Sequence, residues 1–309
     1  MRGWLVTSAF VRDDEYEDLL QRFEDAAARA GVSLERRTNV ELAPSLGTDG
    51  ALPDAPDFAL FWCKDIQVAR HLEAHGVRLF NRAEAIELSD DKAATVSALL
   101  GTGVRQPRTV PVPRSDAHTA WGPTGFAEAT AATLGLPVVV KEVRGSFGQE
   151  VHLARTVAEL TKLLDELSGH ACICQEFIAS SEGRDVRVQV VGDRAVGAIL
   201  RFSQTGDFRA NINSGASYRG YEATPEQEAV AVAATQGLGL DFAGVDLLFG
   251  ADGRPVLCEV NSNAHSIPEM LEECGVNVAD EIMRHIVATV RRRRSCSPSN
   301  QGATKGACA

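Results

Sequence analysis

The sequence predicts an α/β protein in which a small parallel sheet precedes a larger part made of hairpins and helices. Up to about residue 88, short apolar runs alternate with segments of helical periodicity, which is typical of a parallel sheet covered by helices. Further along, Gly192-Asp193 and Asp252-Gly253 each separate two apolar runs, which is typical of antiparallel hairpins. The chain has 309 residues, 44% of them hydrophobic, so two or three subdomains are expected.

In the first 88 residues this alternation predicts four strands and two helices. The strands are expected at Trp4–Phe10, Ser33–Arg37, Asp57–Trp62 and Val77–Phe80, and the helices at Glu15–Ala30 and Ile66–His75. The Gly- and Pro-rich segment Pro44–Pro56 is predicted to be a loop. A further helix, with Ser89 as its N-cap and acidic residues in its first turn, is expected to run to about Leu100.

The remaining elements are mostly strands that return on themselves. Strands are expected at 137–141, around Val151, and at 172–178, 185–191, 195–201, 244–249 and 256–260, and helices at 126–134, 157–167, 226–238 and 278–290. Residues 291–309 begin with four arginines and continue with short polar residues without periodicity. This last segment is predicted to be a disordered basic and polar tail.

The most informative pattern is the hairpin between residues 244 and 261. Counting back equally along both strands from a two-residue turn at Asp252-Gly253 places Asp246 opposite Glu259. Asn261 lies on the same face because side chains alternate along a strand. Two carboxylates and an amide oxygen in an otherwise apolar hairpin predict a site for a hard divalent cation. The alternative is two solvent-facing acids on an amphipathic hairpin.

Composition argues against several classes of partner. The net charge of −11 argues against nucleic acid, because phosphate binding requires a basic surface. No apolar run approaches the roughly eighteen residues of a membrane span, and the N-terminus lacks a signal-peptide pattern. The seven cysteines lack zinc-like spacing, and Cys172 and Cys174 are expected to pack on one face of a strand. A reducing, cytoplasmic compartment with no membrane partner is therefore predicted.

A lysine and a glycine-containing loop lie close together in the second part of the chain. Lys141 follows four apolar residues, so its amine is expected at the edge of a buried strand. The next segment, Gly145-Ser146-Phe147-Gly148, is a short loop whose backbone N–H groups can surround an anion. Together these features indicate a phosphate site, although such a loop alone is usually an ordinary hairpin. Glu176 and Phe177 follow at a strand end that, by composition alone, is an edge strand.

An ordered set of motifs resembles the ATP-grasp superfamily, and within it the RimK-type ligases that attach glutamate to a protein or peptide carboxylate. The motifs are Asp91-Lys92, Val140-Lys141, Gly145–Gly148, Gln175–Ile178, Arg184–Arg187, Gly206–Asn211, Gly239-Leu240, Ala243–Asp246 and Glu259–Ser262. The resemblance covers about residues 81–290. It implies an ATP-grasp domain at 89–290, with a lid subdomain at about 109–177, after a small N-terminal parallel α/β domain at 1–88.

The resemblance also implies the activity, the ligands and the residues that hold them. It implies a ligase that joins an amino-acid, peptide or protein carboxylate to an amine acceptor through an acyl phosphate, using ATP with Mg²⁺ or Mn²⁺. Nucleotide contacts are implied for Lys92, Lys141, Gly145, Ser146, Gly148, Glu176, Phe177, Asp185, Arg209 and Asn211. Within that set, Glu176 and Phe177 would meet adenine, Asp185 the ribose, and Arg209 and Asn211 the γ-phosphate. The metal ligands would be Asp246, Glu259 and Asn261, and the catalytic candidates are Arg187, Arg201 and Arg209.

Several alternatives stay open at this point. Lys92 is nearly as consistent with a surface lysine, and Arg187 and Arg201 are equally consistent with ordinary ion pairs. Glu150 stands where the family usually has a glycine, and the segment after Asn261 departs from the family pattern. His265 in that segment is a candidate proton acceptor, with a packing role as the alternative. A non-catalytic ATP-binding scaffold, a ligase of small amino acids or peptide natural products, and a homo-oligomer are further expectations.

Overall fold

The computed structural model describes residues 1–11, 13–47, 52, 54–145, 150–210, 216–263 and 267–296. The described strands form three sheets, and each sheet is built from one continuous part of the chain. The first is parallel and the other two are antiparallel, with helices on their faces. The α/β class predicted from the sequence is therefore confirmed.

The first sheet consists of four parallel strands in the order β2-β1-β3-β4. The strands are β1 Arg2–Thr7, β2 Ser33–Thr38, β3 Phe58–Trp62 and β4 Leu79–Phe80. The helices in this part are α1 Asp14–Arg29, α2 Asn39–Leu42, α3 Ile66–Ala74 and α4 Ala83–Asp90. β1 ends at Thr7 instead of Phe10. The apolar run continues beyond the end of the strand, and Phe10 is 79% exposed.

The helix expected from Ser89 to Leu100 is instead two helices, α4 and α5 (Lys92–Ala98). Asp91 lies between them in an extended conformation, and its side chain accepts from the N–H of Ala94. Ser89 lies in the last turn of α4 and donates to the carbonyl of Ile86. The predicted N-cap was therefore wrong by two residues. The difference arises because Asp91, and not Ser89, caps a helix, and the residues before Asp91 form a helix of their own.

The second sheet has the order β5-β8-β6-β7 and is antiparallel. Its strands are β5 Thr109–Pro111, β6 Val138–Glu142, β7 Val151–Ala154 and β8 Cys172–Glu176. Two helices, α6 (Phe126–Leu134) and α7 (Val157–Glu166), pack on one face of it. Burial raises the pKa of the Cys174 thiol to about 12, so this cysteine is a neutral packing group, in line with the interpretation from the sequence.

The third sheet is antiparallel, with the order β11-β10-β9-β12-β13. Its strands are β9 Arg184–Val191, β10 Arg194–Phe202, β11 Ser217–Gly220, β12 Phe242–Phe249 and β13 Pro255–Asn261. Helix α8 (Pro225–Gly237) packs on one face. Helices α9 (Ile267–Cys274) and α10 (Val278–Cys296) pack on part of the other face. The uncovered part of that second face carries the charged side chains described below.

Helix α10 extends further than the sequence predicts. It ends at Cys296 instead of Val290, so residues 291–296 do not belong to a disordered tail, and residues 297–309 lie outside the described residues. Arg293 and Arg294 lie in the last turn, where positive charge interacts favourably with the helix dipole. Arg294 also forms an ion pair with Asp57 at the start of β3. These two interactions account for the extra helical turns.

The first and third sheets are joined through a buried amide. The side chain of Asn81, with no exposed surface, donates to the carbonyls of Phe242 (2.9 Å) and Ser262 (3.1 Å). Its Oδ1 accepts from the N–H groups of Asp241 (2.6 Å) and Phe242 (3.2 Å). Close by, Arg78 forms a bidentate ion pair with Asp241. The N-terminal sheet is thus hydrogen-bonded directly to the strand that carries Asp246.

Replacing Asn81 with Ala is expected to lower the free energy of unfolding by about 2–4 kcal/mol, because buried N–H and carbonyl groups lose their partners. Chemical denaturation of the purified variant measures this. Gln21→Ala is the control, since Gln21 is an exposed amide on α1 whose side chain donates a hydrogen bond to Asp25 within the same helix. Equal stability of the two variants would contradict the role given to Asn81.

Candidate functional site

A cleft between the second and third sheets contains every predicted site residue that the structure describes. The lining includes Lys92, Lys141, Gly145, Glu176, Phe177, Asp185, Arg187, Arg201, Arg209, Asp246, Glu259 and Asn261. Ser146, Gly148 and Asn211 lie outside the described residues, as does His265. Residues that are up to 169 positions apart in the chain, from Lys92 to Asn261, therefore meet in one cavity.

Two arginines and two aspartates form a buried network on the floor of this cleft. The strand register places Arg187 beside Asp246 and Arg201 beside Asp185. Arg187 donates to both oxygens of Asp246 (2.7 and 2.8 Å), and Arg201 donates to both oxygens of Asp185 (2.7 Å each). Arg201 also lies 2.9 Å from Asp246. Bidentate contacts of this kind fix the orientation of both guanidinium groups.

Burial and pairing act in opposite directions on Asp246. Its side chain is 4% exposed, and burial acts to raise its pKa, but the positive charges of Arg187 and Arg201 hold the pKa below its usual value. Burial likewise acts to lower the pKa of Arg201, and the two aspartates more than offset it. Asp185 behaves differently, because burial outweighs the opposing charge of Arg201 and raises its pKa. The floor of the cleft therefore combines two guanidinium groups with two carboxyl groups of different acidity.

Asp246 and Glu259 face each other as predicted, but the hairpin reaches this register by a different route. Asp246 pairs with Glu259, and Gly244 pairs with Asn261. The tip is a longer loop than Asp252-Gly253 alone, because the N–H of Gly250 bonds to the carbonyl of Arg254. An irregularity after Asp246 shifts the register by one residue. The two departures from an ideal two-residue hairpin cancel, so the predicted pairing is confirmed.

The oxygen donors of β13 fit a divalent cation better than those of β12. The nearest described cation to Glu259 is Lys92, at 3.6 Å, and the amide nitrogen of Asn261 is buried without a hydrogen-bond partner among the described residues. Carboxylate and amide oxygens are the ligands that Mg²⁺ takes in proteins. Both oxygens of Asp246, by contrast, already accept from arginine. In the described part of the chain, no group of three or more His, Cys, Asp and Glu side chains is placed to hold a metal.

Two lysines reach the cleft, one from a helix and one from a strand. Lys92, at the start of α5, is 15% exposed and donates to the carbonyl of Gly145 (3.2 Å), so it is not an ordinary surface lysine. Lys141, at the end of β6, lies 4.0 Å from the sulfur of Cys258. Burial raises the pKa of Cys258 to about 11, although Lys141 opposes the shift. The thiol is therefore neutral, so Cys258 places no negative charge beside Lys141.

The end of β8 presents an apolar ring and a carboxylate that is already occupied. Glu176 accepts from the backbone and the side chain of Arg108 (2.8 and 2.7 Å), and its own N–H donates to the carbonyl of Arg108. Phe177 makes an edge contact with Phe208, with ring centroids 6.2 Å apart. A planar apolar ligand would meet Phe177 and Phe208 here, whereas the side chain of Glu176 already binds arginine.

Two predicted contacts have protein partners that the sequence did not indicate. Asp185, predicted to meet the ribose, uses both carboxylate oxygens to bind Arg201. Arg209, predicted at the γ-phosphate, pairs with Asp207 at 2.7 Å. Both residues line the cleft, but Asp185 is only 7% exposed. Its position is that of a residue that orients Arg201.

Glu269 and Lys64 line the same cleft and were missed by the sequence analysis. Glu269 lies in the first turn of α9, and its Oε2 is buried without a hydrogen-bond partner among the described residues. Lys64 follows β3 and pairs with Asp90. The signal that was available is Ile267-Pro268-Glu269, because Pro and an acid in a first turn are typical of a helix start.

Comparison with known proteins supplies a family. The model of a RimK-like ATP-grasp domain matches residues 89–286. The chain is 36% identical over 234 residues to a protein named beta-citrylglutamate synthase B of Danio rerio, covering 75% of this chain and 56% of that protein. It is 33% identical over 235 residues to N-acetylaspartylglutamate synthase A of Homo sapiens, covering 75% and 58%. The chain thus spans little more than half the length of these relatives.

A solved structure shows the same fold. The crystal structure of an ATP-grasp protein with a RimK domain from Sphaerobacter thermophilus matches with a TM-score of 0.66 and 22% identity, over 92% of this chain and 99% of that one. The ATP-grasp fold that the sequence motifs implied, with its N-terminal parallel sheet, is confirmed. No helix in the described part of the chain has the length and apolar character that a membrane span requires.

Proposed function

The chain belongs to the RimK-like ATP-grasp family, and from this membership we propose that it is an ATP-dependent carboxylate–amine ligase. The observation that carries the proposal is the cleft that gathers Lys92, Lys141, Glu259 and Asn261 around one space. Positive side chains can bind the phosphates of a nucleoside triphosphate, and hard oxygen donors can bind its metal ion. We propose the domain division implied by the sequence motifs as well, and the arrangement of one sheet per continuous part of the chain supports it.

In the proposed reaction, a substrate carboxylate attacks the γ-phosphate of ATP, which gives an acyl phosphate and ADP. An amine then attacks the acyl carbon and displaces phosphate, which gives an amide. Lys92 and Lys141 would bind the phosphate oxygens, and Arg187 and Arg201 would face the charge that develops on the acyl phosphate. Glu259 and Asn261 would hold Mg²⁺, or Mn²⁺ in its place. When bound, this ion would offset the negative charge of the phosphates.

Other predicted residues keep a place in the proposal with modified roles. Phe177 would contact the adenine, and Gly145, with Ser146 and Gly148, would border the phosphates. Asp246 would reach the metal only by sharing oxygens that now bind arginine. We assign Asp185 to the orientation of Arg201 instead of to the ribose. Arg209 and Asn211 remain candidates for the γ-phosphate.

The names of the two relatives indicate a substrate class. Both names contain a glutamate joined to a small acid. We therefore propose glutamate as the amine substrate, and citrate, N-acetylaspartate or a glutamate-ended peptide as the carboxylate. The test is release of ADP and phosphate from ATP and Mg²⁺ with these probes, together with the product mass. Release that requires both substrates, and a product lighter by one water than their sum, is expected.

A non-catalytic ATP-binding scaffold is the second candidate, and Glu150 favours it. Gly145 has φ of 152°, and a Cβ there would lie 2.5 Å from Oε2 of Glu150. A carboxylate thus lies beside Gly145, the described residue of the segment proposed to hold phosphate, and negative charge there opposes ATP binding. ATP binding without phosphate release across the whole panel would support the scaffold and contradict the ligase.

Replacing Glu150 with Gln is expected to lower the KM for ATP by about three- to tenfold, because one repulsive charge beside the phosphates is removed. Steady-state phosphate release at varied ATP measures this. Glu166→Gln is the control, since Glu166 is an exposed acid at the end of α7 outside the cleft. An unchanged KM, or an increase, would show that Glu150 does not face the nucleotide.

A further inference from the structure

We propose that Glu269 accepts the proton of the incoming ammonium group, which makes the amine able to attack the acyl phosphate. The inference rests on the ligase function proposed above and assigns to it a residue that neither the family motifs nor the sequence analysis singled out. A primary amine is protonated at neutral pH and has no free electron pair to attack with. Each turnover therefore requires a proton acceptor beside the acyl carbon.

The position of Glu269 suits this role. It lies in the first turn of α9 and lines the cleft together with Arg187, Asn261 and Asn263. One of its carboxylate oxygens, Oε2, is buried and has no hydrogen-bond partner among the described residues. An unpartnered buried carboxylate oxygen is costly unless a ligand supplies a donor. An ammonium group is the donor that matches its charge.

The other described carboxylates of the cleft already have partners or other roles. Asp185 and Asp246 are each held by bidentate arginine contacts. Both oxygens of Glu176 accept from Arg108, one from its backbone N–H and one from its side chain. Glu259 faces Lys92 and is the proposed metal ligand, and Glu150 lies beside Gly145. This leaves Glu269 as the carboxylate with a free oxygen near the catalytic arginines.

The surroundings of Glu269 also favour proton transfer. Burial raises its pKa, its own backbone N–H and Arg187 on β9 oppose the shift, and Glu15 on α1 and Glu272 on α9 reinforce it. Tyr218 on β11 is a further titratable group near it, and the charge of Glu269 contributes to the raised pKa of that phenol. A carboxylate whose pKa is raised toward neutrality is a better base than an exposed one.

The step balances as follows. The ammonium gives one proton to Glu269, the freed nitrogen lone pair forms the C–N bond, and the C–O bond to phosphate breaks with its electron pair going to phosphate. The second proton on nitrogen goes to the departing phosphate, which leaves as hydrogen phosphate. Glu269 then returns its proton to solvent when the product leaves. No oxidant, reductant or further reactant is needed.

The test separates the two half-reactions with hydroxylamine, an amine that is already uncharged at neutral pH. In Glu269→Gln, formation of the hydroxamate from ATP and the carboxylate probe is expected to stay within about threefold of wild type. Ligation of L-glutamate to the same probe is expected to fall by about 10²-fold or more. The deficit is expected to shrink as the pH rises toward the pKa of the amine, because free amine then forms without a base. Glu228→Gln, a change of an exposed acid on α8 outside the cleft, is the control and is expected to ligate normally.

Each outcome has a distinct meaning. Absence of ADP and hydroxamate in the wild type with every probe would overturn the ligase itself. Normal hydroxamate formation with normal ligation in Glu269→Gln would overturn only the role of Glu269. An equal loss of both half-reactions, or a loss that does not vary with pH, would indicate a structural role and would also overturn it. Partial recovery of ligation in Glu269→Asp, which keeps the carboxylate, is expected.

Discussion

Replacing Glu259 with Gln is expected to reduce phosphate release by at least about 10²-fold while leaving the fold intact. The change removes a full negative charge from the proposed metal site and keeps the size of the side chain, so binding of the metal with its nucleotide loses a principal ligand. Stability should change by less than about 1 kcal/mol, because the side chain is 31% exposed and its nearest cation is 3.6 Å away.

Two measurements check this prediction. In the variant, phosphate release should need a higher Mg²⁺ concentration to reach half of its maximal rate. Calorimetry should show that ADP binds more weakly than to the wild type when Mg²⁺ is present, and equally well when it is absent. Asp252→Asn is the matched control, because Asp252 lies at the tip of the same hairpin and binds Arg105 outside the cleft. Phosphate release near the wild-type rate in Glu259→Gln would remove Glu259 from the metal site.

Replacing Arg201 with Met is expected to lower the free energy of unfolding at pH 7 by about 3–5 kcal/mol, because it leaves two buried carboxylates without their shared partner. Arg201 binds Asp185 bidentately and lies 2.9 Å from Asp246. Chemical denaturation measures the loss. Adding Asp185→Asn to this variant should recover part of it, because one uncompensated charge is then removed.

The pH dependence of this loss has a definite sign. In the wild type the arginines hold the pKa of Asp246 below its unfolded value, so their stabilisation is present at neutral pH and is lost as the pH falls through the acid range. This stabilisation is complete above the unfolded pKa of about 3.9, so the difference between wild type and Arg201→Met should be smaller near pH 3 than at pH 7. A difference that is constant over this range, or no recovery in the double variant, would mean that the network does not act through charge.

Local signals predicted the elements that have strong periodicity. Helix α6 has the bounds expected from the sequence, and the pairing of Asp246 with Glu259 follows from counting along a hairpin. Helix α9 and strands β5 and β11 were missed because each is short, and Pro268 and the prolines around β5 obscure the pattern. Weak propensity over three to eight residues is readily outweighed by packing against the rest of the fold.

The ion-pair partners of the site residues could not be predicted from the sequence, for a different reason. Arg187 meets Asp246 only because β9 and β12 are neighbours in the third sheet, and no local signal sets that order. The motifs therefore identified which residues share the cleft, but not that the arginines bind the aspartates. The same limit applies to Glu269, whose importance depends on the absence of a partner for Oε2 among the described residues.

The amide of Asn81 has a consequence for how substrates enter. Because it bonds the first sheet to β12, and Trp62 stacks on Phe242 nearby, these two parts should travel together as a unit. Admission of nucleotide and escape of product would then depend on displacement of the second sheet alone. The distance between fluorophores on α1 and α8 should stay constant during turnover. The distance between fluorophores on α7 and α8 should change in each catalytic cycle.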